Sequence, residues 1–261
     1  MRAKKSLGQN FLMHARIAER IADAAKLAPD ATVFEIGPGT GMLTRALLSR
    51  AGKVIAIEAD VELFENLKIS FADEIASGQL ELIYGDIRSF DISSLPKGYT
   101  LAANIPYYLT GEIFRMFLAA ENQPSAMTLL VQKEVAERIA RSGKPYSAKA
   151  TKGKESILSL SVKAYGTPNY EFTVPRGAFK PAPNVDSAVL TIRGISRRNF
   201  CSPEQEKLFF ALIHAGFAHK RKFVRKNLLE VGLPSGDISE KARAEDIPLS
   251  VWLTLSKARC P

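Results

Sequence analysis

The sequence predicts an α/β fold, a doubly wound and mostly parallel sheet followed by a small all-helical C-terminal domain. Three observations carry that expectation. Between residues 30 and 131, short apolar runs of strand length alternate with amphipathic runs of helix length, the rhythm of parallel strands joined by right-handed crossovers. The first of those runs feeds directly into Gly37-Pro38-Gly39-Thr40-Gly41, a turn that lets a strand enter a helix beside a ligand. After Arg197-Arg198 the strand-like runs stop and only helical periods remain.

Taken in order, Ile17, Ile21, Ala24 and Leu27 recur at spacings of three and four, so a helix is expected over about 12–28, ended by Pro29-Asp30. Residues 32–36 read as a buried strand and 40–50 as the helix after the glycines. A second strand over 54–57 ends in Glu58. A helix carrying Leu63, Phe64, Leu67, Ile69 and Phe71 leads to a third strand, 80–83, which closes on Gly85-Asp86. Residues 99–103 form a strand that stops at Asn104-Ile105-Pro106-Tyr107. A helix over 111–120, a strand over 126–131 and a charged helix over 132–141 follow. Residues 142–156 lack periodicity and are expected to form a mobile basic loop. Two apolar runs, about 157–165 and 185–193, flank a Pro-studded segment containing Phe179-Lys180-Pro181-Ala182-Pro183. Helical periods then cover 203–218, 221–231 and roughly 239–257. The expected division is one domain over 1–195 and a second over 196–261.

Composition narrows the function. At 46% hydrophobic and 24% charged, the chain has the make-up of a protein that buries a core. No apolar run approaches the roughly 18 residues of a membrane span. The basic start Met1-Arg2-Ala3-Lys4-Lys5 precedes no signal core, so a soluble cytoplasmic protein is expected. Cys201 and Cys260 belong to no ligand-spaced pair, and His14, His214 and His219 complete no set. Free thiols and no metal are the expectation. With 36 Lys+Arg against 27 Asp+Glu, the net charge of +9 attracts polyanions, nucleic acid ahead of an anionic membrane.

In an open parallel sheet, ligands bind beyond the carboxyl ends of the strands. Four expected strands end there in groups with chemistry. In the glycine loop, Gly37 and Gly39 lack Cβ atoms, so backbone N–H groups and the next helix N-terminus can approach a ligand closely. Glu58 can accept both hydroxyls of a ribose. Asp86 can take an adenine amino proton. Together these describe an adenosine-containing ligand. A dinucleotide fingerprint wants a sixth-position glycine where this chain has Met42, and no Walker lysine follows. The loop preceded by Glu35 fits S-adenosylmethionine, with S-adenosylhomocysteine as product.

Asn104-Ile105-Pro106-Tyr107 supplies the second half of the chemistry. An exocyclic adenine nitrogen is a poor nucleophile because its lone pair is delocalised into the ring. Two acceptors aimed at its N–H groups, the Asn104 side-chain oxygen and the Ile105 carbonyl, favour the pyramidal amine that attacks a methyl. Pro106 fixes the backbone so that this carbonyl points inward. Tyr107 offers a stacking face to a flipped base.

Leu7-Gly8-Gln9-Asn10-Phe11-Leu12, residues 35–44, Ala56-Ile57-Glu58, Gly85-Asp86, residues 104–108, residues 131–138 and residues 179–189 all match one family. Through them the chain resembles the small-subunit ribosomal RNA adenine dimethyltransferases (the KsgA type), with their Rossmann-like methyltransferase fold, over nearly its whole length. The resemblance implies that Gln9, Asn10, Leu12, Gly37, Glu58, Asp86 and Asn104 touch S-adenosylmethionine. It implies that Asn104, Ile105 and Tyr107 hold the target adenosine while Phe179 stacks on its other face. It further implies that two adjacent adenosines near the 3′ end of the small-subunit rRNA each receive two methyl groups, a step of ribosome biogenesis. The expected partner is that rRNA in a pre-assembled small subunit, and the expected state a monomer.

Lys220, Arg221, Lys222, Arg225 and Lys226 place five positive charges within seven residues of one expected helix. With Lys144, Lys149, Lys152 and Lys154 they are expected to grip phosphates, which position RNA while the Asn104 pocket identifies the base. Where the family carries Phe-x-x-Arg-Arg-Lys, this chain has Phe217-Ala218-His219-Lys220-Arg221-Lys222. That substitution keeps the charge and weakens bidentate phosphate recognition. A larger departure lies at 143–160, where Tyr146 is followed by Ser147 and extra basic residues. The rival readings are an Erm-type adenine methyltransferase of large-subunit rRNA, an RNA-binding protein that keeps the fold without catalysis, and a DNA adenine methyltransferase, disfavoured because no separate base-reading domain is evident. Intact glycine and Asn104 motifs speak against the second.

Overall fold

The structure is a computed structural model that describes residues 9–141, 154–219 and 221–257. Most of the expected loop over 142–156, including Lys144, Lys149 and Lys152, and also Lys220, lies outside the described residues. The chain packs as two compact units, Met1–Ala136 with Asn169–Ile195, and Glu137–Pro168 with Ser196–Pro261.

The first unit begins with the two-residue strand β1 (Phe11–Leu12) and helix α1 (Ala15–Ala25), which buries Ala18, Ile21, Ala22 and Ala25 along one face. Then β2 (Thr32–Ile36), α2 (Met42–Leu48), β3 (Lys53–Glu58), α3 (Val61–Ser70), α4 (Ala72–Ala76), β4 (Leu80–Tyr84), β5 (Thr100–Asn104), α5 (Thr110–Ala119) and β6 (Ala126–Gln132) complete the expected alternation. Helix α6 (Lys133–Arg141) follows. Strands β7 (Thr167–Val174), β8 (Phe179–Lys180) and β9 (Ser187–Arg193) close the sequence of strands. The sheet has seven strands in the order β4-β3-β2-β5-β6-β9-β7. Strands β2 through β6 pair in parallel and β9 runs antiparallel to β6. Val33, Phe34, Val54, Leu101, Met127 and Leu129 are fully buried, as strands covered by helices on both faces require. Strand order reverses between β2 and β5, and a cleft opens at the carboxyl ends of the strands there. A separate ribbon pairs β1 with β8, Leu12 opposite Phe179 and Phe11 opposite Lys180.

The second unit is helical: α7 (Ile157–Tyr165), α8 (Pro203–Phe217), α9 (Val224–Glu230) and α10 (Leu249–Ser256). Leu160 and Ala164 of α7 share a core with Phe209, Leu212, Ile213, Val224, Leu228 and Trp252. The sequence division at 195 therefore assigns 137–168 differently from the packing. The apolar run 157–165 is a helix because Ser156 and Ser159 form a reciprocal capping box at its start. Strand β7 lies in the Pro-studded segment, where no alternation announced it. The helical period over 239–257 is corrected to Leu249–Ser256 plus a 3-10 turn at Ala244–Asp246. Pro248 holds the residue before it extended and sets where α10 begins. Arg221 and Lys222 likewise precede α9, since Phe223 is its extended N-cap. Gly216 leaves room for Trp252, whose ring would collide with a Cβ at that position. Cys201 is disulfide-bonded rather than the expected free thiol. No helix among the described residues is long and apolar enough to cross a membrane.

Candidate active site

The ends of β2, β3, β4 and β5 and the segment Gln9–Leu12 surround the cleft, which encloses about 1100 Å³ including its open mouth. Gly37, Gly39 and Gly41 all take positive φ, +65°, +60° and +79°, a region that costs an L-residue about 1–2 kcal/mol. They serve different ends. A Cβ on Gly37 would stand in open space, so its backbone is bare to the cleft, whereas one on Gly41 would strike the Phe71 ring. On Gly39 it would lie 3.3 Å from Phe11.

Glu58, the last residue of β3, is buried with both carboxylate oxygens engaged. Gly39 N–H donates to Oε2 at 3.0 Å and Asp60 N–H to Oε1 at 2.9 Å. Burial pushes its carboxyl above the usual range, and those two backbone donors pull it partly back. Each oxygen keeps a second lone pair for a hydroxyl. Asp60 is the N-cap of α3, accepting from Glu62 N–H at 3.0 Å, and also accepts from Gln9 Nε2 at 3.2 Å. Asp86 follows β4 by two residues. Hydrogen bonds from Arg88 hold its carboxyl below the usual range: backbone N–H and Nε reach Oδ1 at 2.9 and 3.2 Å, and Nη2 reaches Oδ2 at 2.8 Å. Nε also reaches Oδ2 at 3.2 Å, so a further donor on Oδ2 would take the place of that shared bond.

Asn104 ends β5, and its Nδ2 donates to the Asn10 carbonyl at 3.1 Å. That bond fixes the amide rotation, leaving Oδ1 with no hydrogen bond among the described residues while the side chain lines the cleft. Ile105 is buried, and Pro106 (φ −54°, ψ 134°) is the extended entry to a 3-10 turn over Tyr107–Leu109. Tyr107 shares a 2.6 Å hydrogen bond with Ser187 of β9, and burial pushes its phenol above the usual range. Glu35 is 1% exposed and also lines the cleft. Burial raises its carboxyl to about 8, Thr44 opposing and Glu58 reinforcing the shift. Its Oε2 has no hydrogen-bond partner among the described residues.

Gln9, Asn10, Leu12, Gly37, Gly39, Glu58, Asp86, Asn104, Ile105 and Tyr107 thus all line one cleft. Phe179 does not. It is 5% exposed and belongs to the core cluster that holds Leu12, Val174 and Ala178, its strand β8 pairing with β1 so that it stands opposite Leu12. Sequence reasoning missed Asp60, Arg88, Tyr108 and Ser187. Asp60 was findable as a capping residue before a helix; the contact of Ser187 with Tyr107 joins distant segments and leaves no local mark. Among the basic residues of the second unit, Arg221 and Lys226 are exposed. Lys222 pairs with Glu230 at 3.0 Å and Arg225 with Glu240 at 3.5 Å.

This geometry can be set beside known proteins. The family model described as ribosomal RNA adenine dimethylase matches residues 1–257. The ribosomal RNA small subunit methyltransferase A of Deinococcus radiodurans is 37% identical, covering 96% of this chain and 83% of its own length. That of Fusobacterium nucleatum is 34% identical over 97% of this chain and 96% of its own. Among solved structures, the 23S rRNA methyltransferase ErmE superposes with a TM-score of 0.76 at 26% identity, covering 95% of this chain and 98% of its own. A dimethyladenosine transferase from Plasmodium falciparum gives a TM-score of 0.75 at 25% identity, covering 94% and 95%. Matched from residue 1 to 257, the chain belongs to the ribosomal RNA adenine dimethylase family.

Proposed function

We propose that this protein dimethylates the N6 amino groups of two adjacent adenosines near the 3′ end of small-subunit rRNA, with S-adenosylmethionine as methyl donor. The observation that carries the reading is the Asn104 amide, whose nitrogen is tied to Asn10 so that its oxygen is left to accept from an amine in the cleft.

The cleft fits an adenosine-bearing cofactor on its own geometry. Glu58 offers one free lone pair per oxygen for the two ribose hydroxyls, and Asp86 would take the adenine amino group on Oδ2 in place of the bond it shares with Arg88 Nε. The bare backbone at Gly37 admits the chain that joins them. S-adenosylmethionine, when bound, supplies a methyl on a positively charged sulfur. Asn104 Oδ1 and the Ile105 carbonyl accept the two N6–H groups, which localises the nitrogen lone pair for attack. With the donor bound, its methyl would pass to that nitrogen while the sulfur keeps the bonding pair, and the nitrogen's excess proton would go to solvent. Tyr107, held by Ser187, presents a fixed ring to the extruded base.

The choice of small-subunit rRNA is supported by relatives named for the small subunit at 34% and 37% identity, against 26% for the large-subunit enzyme. The test is transfer of labelled methyl from S-adenosylmethionine to unmodified small and large ribosomal subunits offered separately, with the product nucleoside identified. Dimethyladenosine in the small subunit alone is expected. Label confined to the large subunit would overturn the reading in favour of an Erm-type activity.

A further inference from the structure

Tyr107, Tyr108 and Leu109 form a single 3-10 turn at the rim of the cleft. Successive residues of such a turn point about 120° apart, so the two tyrosines cannot present their rings to the same place. Tyr107 is half-buried and bound to Ser187, and Leu109 is buried, while Tyr108 remains 57% exposed yet still lines the cleft. A large ring is thereby kept in water one residue from the ring assigned to the target base. Arg88 lines the cleft as well, its side chain 53% exposed. Asp86 grips the guanidinium through Nε and Nη2, and Nη1 makes no hydrogen bond among the described residues. Glu112 lies within electrostatic reach of Arg88 and offsets part of its charge. A guanidinium already oriented by a carboxylate loses little freedom on taking a phosphate.

We infer that Tyr108 and Arg88 form a subsite for the nucleotide adjacent to the target adenosine, the ring stacking on its base and the guanidinium meeting its phosphate. Extruding one base from a strand leaves its neighbour without a stacking partner. An exposed aromatic at the mouth replaces that partner for any base, because every base has a π-face. The inference rests on the proposed reaction on RNA and adds which residues receive the strand outside the pocket.

Initial rates on unmodified small subunits test it, measured for wild type, Tyr108→Ala, Tyr108→Phe and Arg88→Gln, with S-adenosylhomocysteine affinity followed by calorimetry. Tyr108→Ala should raise KM for the subunit about tenfold, with kcat and S-adenosylhomocysteine affinity close to wild type. Tyr108→Phe should behave as wild type, since the ring and not the hydroxyl acts. Arg88→Gln should flatten the dependence of log KM on log salt by about one unit. An unchanged KM in Tyr108→Ala, or a loss that appears in S-adenosylhomocysteine affinity instead, would overturn the subsite while leaving the proposed function standing. A wild-type protein that methylates neither subunit would remove both.

Discussion

Glu35 shows how one residue can connect the site to the stability of the unit that holds it. It sits in β2 beneath the glycine loop with its carboxyl raised to about 8 by burial. Between the ordinary carboxylate range and about 8, the folded chain holds a proton that the unfolded chain releases. Stability therefore falls as pH rises through that window, and the full loss is reached above it. Glu35→Gln removes the titration and keeps the shape. Urea unfolding without cofactor should show the variant gaining on wild type from pH 5 to pH 8.5, by an amount on the order of a few kcal/mol. A gap that does not change with pH would mean that Glu35 is already ionised in the folded protein. The acidic residue before the glycines was visible in the sequence, but its burial was not, because burial depends on what packs above the strand.

Among the elements, the loop between β2 and α2 divides its glycines by task. Gly37→Ala meets only the cost of a positive φ, about 1 kcal/mol, because its Cβ would stand in open space. Gly41→Ala adds a collision with Phe71, so roughly 2–5 kcal/mol is expected from strain and overpacking together. Denaturant unfolding of the two variants should show that order, and equal losses would contradict it. The glycine pattern and the strand–helix rhythm were legible because they are local and periodic. The carboxylates at the ends of β3 and β4 and the asparagine ending β5 were legible for the same reason. Helix α7 was not, since its nine residues are apolar on too many sides to show a period and its capping box is built from two serines. Phe179 illustrates a different limit. Its motif named a function, while the pairing of β8 with β1 that buries it joins residues far apart in the chain.

For the molecule as a whole, a net charge of +9 favours a polyanionic partner, yet the structure distributes that charge unevenly in its readiness to bind. Lys222 and Arg225 already have carboxylate partners, and Arg221 and Lys226 are exposed. Replacing Arg221 and Lys226 together by alanine should weaken subunit binding and reduce the slope of log affinity against log salt by about 1.5. Lys222→Ala should change the slope less, because Glu230 already pairs with Lys222 and leaves it less charge to give a phosphate. Equilibrium binding across a salt series checks both, and an unchanged slope in the double variant would leave these two residues as a solvated face. Counting charges along the sequence located the cluster. It could not reveal that Glu240, distant in the chain, neutralises part of it.

Orientation of the target amine turns on Asn104, and Asn104→Ala tests that role most directly when methyl transfer and cofactor affinity are measured on the same preparation. Methyl transfer to unmodified small subunits is expected to fall by about 100-fold or more, while calorimetry with S-adenosylhomocysteine shows affinity within a few-fold of wild type. Transfer at the wild-type rate would contradict the claim that the Asn104 oxygen orients the target amine.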